Sequence, residues 1–101
     1  MKAPYYAVIF TSNSTKEDQG YADMALEMEH LASKQPGFLG MESARKTIGI
    51  TVSYWESLEA IAKWKAQTDH LLAQQKGKTQ WYQKYSVRIC KVEREYHFLK
   101  E

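Results

Sequence analysis

Gln35-Pro-Gly-Phe-Leu-Gly-Met-Glu-Ser-Ala-Arg45 and Gly49-Ile-Thr-Val-Ser-Tyr-Trp-Glu-Ser-Leu-Glu-Ala-Ile-Ala-Lys-Trp64 are separated only by Lys46, Thr47 and Ile48, and together read as a turn, two strands and a helix. Pro36 has no amide hydrogen and Gly37 tolerates backbone that other residues avoid, so the pair ends whatever precedes it. Phe38 to Arg45 and Ile48 to Trp55 are strand-like runs, in which successive side chains point to opposite faces. Simple alternation puts Leu39, Met41 and Ser43 on one face of the first run and Phe38, Gly40, Glu42 and Ala44 on the other. In the second run Ile48, Ile50, Val52 and Tyr54 oppose Thr51, Ser53 and Trp55. Lys46 and Thr47 are the expected hairpin turn, with no Asn-Gly pair to fix its type. Ser57 stands at the helix start with Ala60 three residues on, so the helix opens without a full capping box.

Upstream of this block, Tyr5 to Thr11 is a β-rich run that enters the polar cluster Ser12-Asn13-Ser14. From about Lys16 to Ser33, Tyr21, Met24, Ala25, Met28, Leu31 and Ala32 recur at three-four spacing, as in an amphipathic helix. Its opposite face carries Asp23, Glu27, His30 and Lys34 and is expected to meet solvent. After the central block, Leu58, Ile61, Ala62 and Trp64 mark a second helix. Asp69 to Gln75 reads as a further helical piece that Gly77 stops, and Tyr85 to Tyr96 alternates as a last strand. The order β-α-β-β-α-β predicts an α+β fold: a ferredoxin-like sandwich with a four-stranded antiparallel sheet and both helices on one face. The other face would expose Met41, Leu39, Trp55 or their opposites to water. A homodimer through the sheet face is the simplest way to cover such an apolar patch.

The 101 residues contain no Pro/Gly/Ser-rich spacer and read as a single domain, residues 1–101. A hydrophobic fraction of 44%, an aromatic fraction of 13% and 26% charged residues are those of a folded globular chain. The net charge of +2 is small and the basic residues are mixed among acids, which argues against nucleic acid and membrane surfaces as partners. Cys90 is the one cysteine, so neither an intramolecular disulfide nor a cysteine zinc cluster can form on it, and a reducing cytoplasm is the expected compartment. No apolar run approaches a membrane span or a signal peptide. The five glycines form no Gly-x-Gly-x-x-Gly, the three histidines have no metal-ligand spacing, and no cofactor or metal is expected.

Across nearly its whole length the chain resembles the antibiotic biosynthesis monooxygenase family. The residues that carry the resemblance are Gln35-Pro-Gly-Phe-Leu-Gly-Met41, Val52-Ser-Tyr-Trp-Glu-Ser-Leu-Glu-Ala-Ile61, Trp64 nine residues after Trp55, and Asp69-His70. The resemblance implies a dimeric α/β barrel. It also implies one of several activities, among them cofactor-free oxygenation of phenols and enols, haem degradation, or none. For the haem-degrading branch, Trp64 matches the haem-ruffling tryptophan. That branch's iron-ligating histidine falls at Gln74, and its first-strand asparagine has no match, Asn13 lying beyond the apolar run. For the cofactor-free branch, the substrate supplies its own electrons once deprotonated, and the protein needs a base, a donor and a dry pocket.

That division of labour selects Trp64 as pocket wall and indole donor, Tyr54 as hydroxyl donor and His70 as proton acceptor, with Trp81, Tyr82 and Met28 lining the pocket and a small molecule as ligand. Each has a plainer reading beside it. Trp64 fits a core stripe, His70 a surface position, and Trp81 and Tyr82 a subunit contact. His30 and His97 read as solvated, and Cys90 as a buried structural thiol. Glu42 and Arg45 fall on opposite faces of one strand. The expected function is cofactor-independent monooxygenation of a small phenolic or enolic compound. The alternatives are a non-catalytic binding or stress-associated protein of the same fold, or a haem-binding relative.

Overall fold

The computed structural model describes residues 2–14, 21–75 and 82–100, with side chains over 2–13, 26–68 and 84–100. The elements are β1 (Tyr5–Ser14), α1 (Tyr21–Ser33), β2 (Phe38–Arg45), β3 (Gly49–Trp55), α2 (Leu58–Gln75) and β4 (Tyr82–Val92). The four strands form one sheet in the order β2-β3-β1-β4, every neighbouring pair antiparallel. This is the expected ferredoxin-like α+β arrangement.

Several boundaries differ from expectation, among them the end of β1, which runs on through the polar cluster to Ser14, and the start of β4, at Tyr82 instead of Tyr85. Helix α2 is continuous from Leu58 to Gln75 instead of two pieces. Lys65 to Thr68 contains no Gly or Pro to break it, and the Thr68 hydroxyl bonds back to the Lys65 carbonyl at 3.0 Å. Ile48 sits in the turn rather than at the head of β3, with the Lys46 amide donating to its carbonyl at 3.2 Å. Strand β4 ends at Val92, four residues before Tyr96. The expected first turn of α1, Lys16 to Gly20, lies outside the described residues.

The turn between α1 and β2 ties the helices to the sheet. Gly37 takes a left-handed φ of 86°, and a side chain there would bring its Cβ to 2.7 Å from that of Ala60. Its carbonyl accepts from the Glu56 amide at 2.8 Å, and one residue further on Ser57 caps α2, its hydroxyl accepting from the Ala60 amide at 3.1 Å. The core then forms between the helices and one sheet face. Ala32, Trp55, Ala60, Ile61 and Trp64 are buried, with Tyr6, Val8, Met28, Leu31, Phe38 and Met41 packed around them. Phe38 and Met41 both reach this core although simple alternation separates them. The β2–β3 register shifts between Phe38 and Gly40, and the extra residue puts Phe38 back on the face of Met41.

Strand β3 divides as the alternation predicts, and its more polar face is the covered one. Gly49, Ser53 and Trp55 are buried there, while Ile50 on the other face is 44% exposed. Cys90, expected to be buried, is exposed. Its partner across the ladder is Ala7, which pairs with Tyr54 on its other side, so the thiol lies on the face without helices.

Candidate functional site

The helix-side face of the sheet has an aromatic end and a polar end. At the aromatic end the Trp55 and Trp64 rings stack, centroids 6.0 Å apart and planes at 26°, and Phe38 meets Trp55 edge-on at 5.4 Å. The Trp55 indole N–H donates to the Ser53 hydroxyl at 2.8 Å, a buried pair within one strand. Among the described residues nothing accepts from the Trp64 N–H, and none of their buried side-chain polar atoms lacks a partner. That N–H therefore reaches the edge of the core. Met28 packs against this core, partly buried.

Two strand positions further along, the floor becomes Thr51 with Phe10 and Val87 across β1 and β4, and then Gly49 with Ser12 and Tyr85. Ser12 is only 2% exposed and accepts from Arg45 Nη2 at 2.5 Å. To reach it the guanidinium crosses β3 over Gly49, where a Cβ would overlap it. Phe10 stacks on Tyr85 at 5.4 Å and 25°. Tyr85, Val87 and Ile89 stay 40%, 48% and 51% exposed, although they project to the helix side. Among the described residues, helix α1 packs on β2 and helix α2 on β3, and the β4 residues of this face keep much of their surface exposed.

The other face carries a second polar group. Tyr5, 4% exposed, packs edge-on against Tyr54 at 5.8 Å and donates its hydroxyl to Glu95, which stands beyond the end of β4. Glu95 also lies 3.5 Å from His97 Nε2. The bond to Glu95, with burial, pushes the Tyr5 phenol up to about 12, and the same bond holds Glu95 below the usual carboxylate range. Burial raises the Tyr54 phenol as well, and the nearby Glu42 carboxylate adds to the rise.

The structure thus separates two of the selected residues. Trp64 lies in the core between helices and sheet, whereas Tyr54 pairs with Ala7 and Gly40 on the opposite face. His70 lies on α2, six residues beyond Trp64, and its side chain is outside the described residues. Trp81 is outside them altogether. Tyr82 opens β4 opposite Ser14, with its side chain likewise outside. His30 is exposed on α1 and His97 is 79% exposed, as expected. No group of three or more His, Cys, Asp or Glu among the described residues is placed to hold a metal ion. Among them, no helix is long and apolar enough to cross a membrane. Sequence reading missed the Arg45–Ser12 pair. Its one signal was a glycine heading a strand that follows an arginine, and it becomes visible only through register.

Comparison with known proteins agrees with this architecture. The family model for antibiotic biosynthesis monooxygenase matches residues 4–76. An uncharacterized protein, YqjZ of Bacillus subtilis (strain 168), is 51% identical over 94 residues, covering 91% of this chain and 82% of that protein. Among solved structures, SnoaB, a cofactor-independent oxygenase from Streptomyces nogalater, superposes with a TM-score of 0.76 at 11% identity over 92% of this chain and 97% of its own. PA3566 from Pseudomonas aeruginosa gives 0.69 at 14% identity over 95% and 99%. At these identities the two structures are similar in fold.

Proposed function

Because the chain belongs to the antibiotic biosynthesis monooxygenase family, we propose that it is a cofactor-independent monooxygenase acting on a small phenolic or enolic compound. The observation that carries the reading is the pair of stacked tryptophans: the Trp55 N–H is taken by Ser53, while that of Trp64 is left at the edge of an otherwise satisfied core. An indole donor at the rim of a dry aromatic wall suits an anionic oxygen. The substrate gives a proton to a base, for which His70 is proposed, and the resulting carbanion reduces dioxygen. Oxygen adds to that carbon, the proton returns to the outer oxygen, and loss of water leaves a carbonyl, so that a CH₂ and O₂ become C=O and H₂O. Met28, Trp81 and Tyr82 are proposed to line the pocket. Tyr54 stands on the opposite face of the sheet, away from this pocket, where a second protomer is proposed to cover it.

That second protomer is part of the proposal. Ile50 and Cys90 are exposed on the helix-free face, and pairing two such faces in a homodimer would bury them. A lone, exposed thiol fits a reducing cytoplasm. The test is oxygen uptake by the purified protein across quinols and enols of one to three fused rings. Uptake that is stoichiometric with quinone formation, reduced at least about tenfold in His70→Ala, is expected. No uptake with any member of the panel would leave a non-catalytic binding protein as the better reading.

A further inference from the structure

On the helix-free face the strand registers assemble three successive same-face rows that reach all four strands. In strand order they read Gly40, Tyr54, Ala7, Cys90; then Glu42, Val52, Ile9, Arg88; then Ala44, Ile50, Thr11, Ser86. All the formal charge lies in the middle row, with a carboxylate at one edge, a guanidinium at the other and two half-buried apolar side chains between them. Three interstrand spacings, about 14 Å, keep the two charges apart within a protomer. Both stay exposed, and the Tyr5–Glu95 bond lies at the end of the sheet, two same-face positions before Ile9. Glu42 accepts from the Tyr54 hydroxyl, which holds the carboxylate on this face. A charge on an edge strand commonly serves to keep other sheets from adding there. That role asks for neither opposite signs nor a shared row.

We propose that this face binds a second copy of the chain with the two-fold axis along the strands, so that Glu42 meets the partner's Arg88 and Arg88 the partner's Glu42. The proposal rests on the homodimer reading above and adds its direction and its contacts. Rotation about such an axis reverses the order of the strands and keeps each row on itself. The contact is isologous, so both ion pairs form together at opposite edges of the interface. Stacked sheets lie about 10 Å apart and aligned to within about 30°, a gap that two long charged side chains can bridge from both sides. In the first row Tyr54 then faces the partner's Ala7, and Cys90 the partner's Gly40, large side chains over small ones as interdigitated layers require. A two-fold axis across the strands through the same row would instead set Glu42 against the partner's Glu42 and Arg88 against the partner's Arg88. Charge therefore selects the direction of pairing, which apolar contact alone would leave open.

The experiment is sedimentation of the full-length protein as wild type, Arg88→Glu, Glu42→Arg, the double variant, and an equal mixture of the two single variants. Each single variant sets like charges together at both edges, and its self-association should weaken by at least about tenfold. The double variant and the mixture restore opposite charges at both edges and should associate within about threefold of the wild type. Salt adds a sign that lost packing would not give. Raising it should weaken association of the wild type, where it screens attraction, and strengthen that of Arg88→Glu, where it screens repulsion. This comparison decides the matter if Glu42→Arg, which also takes the acceptor from the Tyr54 hydroxyl, fails to fold. Single variants that associate like the wild type, a double variant and mixture that stay apart, or the same salt response in wild type and Arg88→Glu overturn the pairing and leave the homodimer standing. A wild type that stays monomeric up to its solubility limit removes both.

Discussion

Trp55 and Ile50 belong to the same strand and point to opposite sides of the same sheet. Trp55 is 0% exposed beneath the helices, and Ile50 is 44% exposed where no helix lies. The helix-side face is closed by aromatic stacking, by the Ser57 cap and by the Gly37 turn, all local to the central block. Among the described residues, the other face is covered where Glu95 comes back over the end of β4 to Tyr5. Burial within a protomer thus follows from where the connections put the helices, and not from which face of a strand is the more apolar.

The two faces should differ most at Trp55. Replacing it with Ala should cost about 3–5 kcal/mol, a large share of the 5–15 kcal/mol typical of a small domain, and urea unfolding would measure it. If the covered face truly carries protomer stability, Ile50→Glu should behave differently. Its unfolding free energy from urea titration should change by only about half a kcal/mol or less when extrapolated to monomer. Sedimentation should show the proposed self-association weakened by about tenfold or more, because a charge would have to be buried at that contact. Equal loss of protomer stability in both variants would erase the contrast between the faces.

A sharper test of the covered side is Gly37→Ala. A left-handed φ costs an alanine roughly 1–2 kcal/mol, and the new methyl would crowd Ala60, so a loss of at least that size is expected in the same assay. The smallest effect is expected on the open face. Because the folded Tyr5 phenol titrates near 12 against an ordinary 10.0, its contribution is complete below pH 10 and disappears as pH rises from there through 12. Glu95 has the opposite sign: its lowered value contributes above the usual carboxylate range and fades as pH falls below it. The difference in melting temperature between wild type and Tyr5→Phe should therefore be flat through neutral pH and narrow at both extremes. A difference that grows at high pH would show that the Tyr5–Glu95 bond does not secure the residues after β4.

Most of the fold was legible because its signals are local. Pro36-Gly37, the alternation in Phe38–Arg45 and Gly49–Trp55, and Ser57 ahead of an apolar three-four stripe each depend on residues a few positions apart, and they yielded the element order. Local pattern was also enough to put Trp64 on an apolar stripe and Glu42 and Arg45 on opposite faces. The misreadings have physical causes of the same kind. A register shift moved Phe38 across the sheet, and an unbroken run of helix formers joined the two pieces of α2. Cys90, between Ile89 and Val92, reads as buried by local pattern, and the position of the helices leaves it exposed.

By itself, then, the sequence determined the six elements, their order, the α+β class and the aromatic character of the core, since backbone propensity and side-chain period act over short spans of chain. Only the tertiary structure decided which sheet face is covered, that Trp64 and Tyr54 stand on opposite sides of it, and that Arg45 meets Ser12 over Gly49. The first two follow from where the connections lay the helices, and the third from register between strands far apart in the chain, where one residue of slip would reverse it.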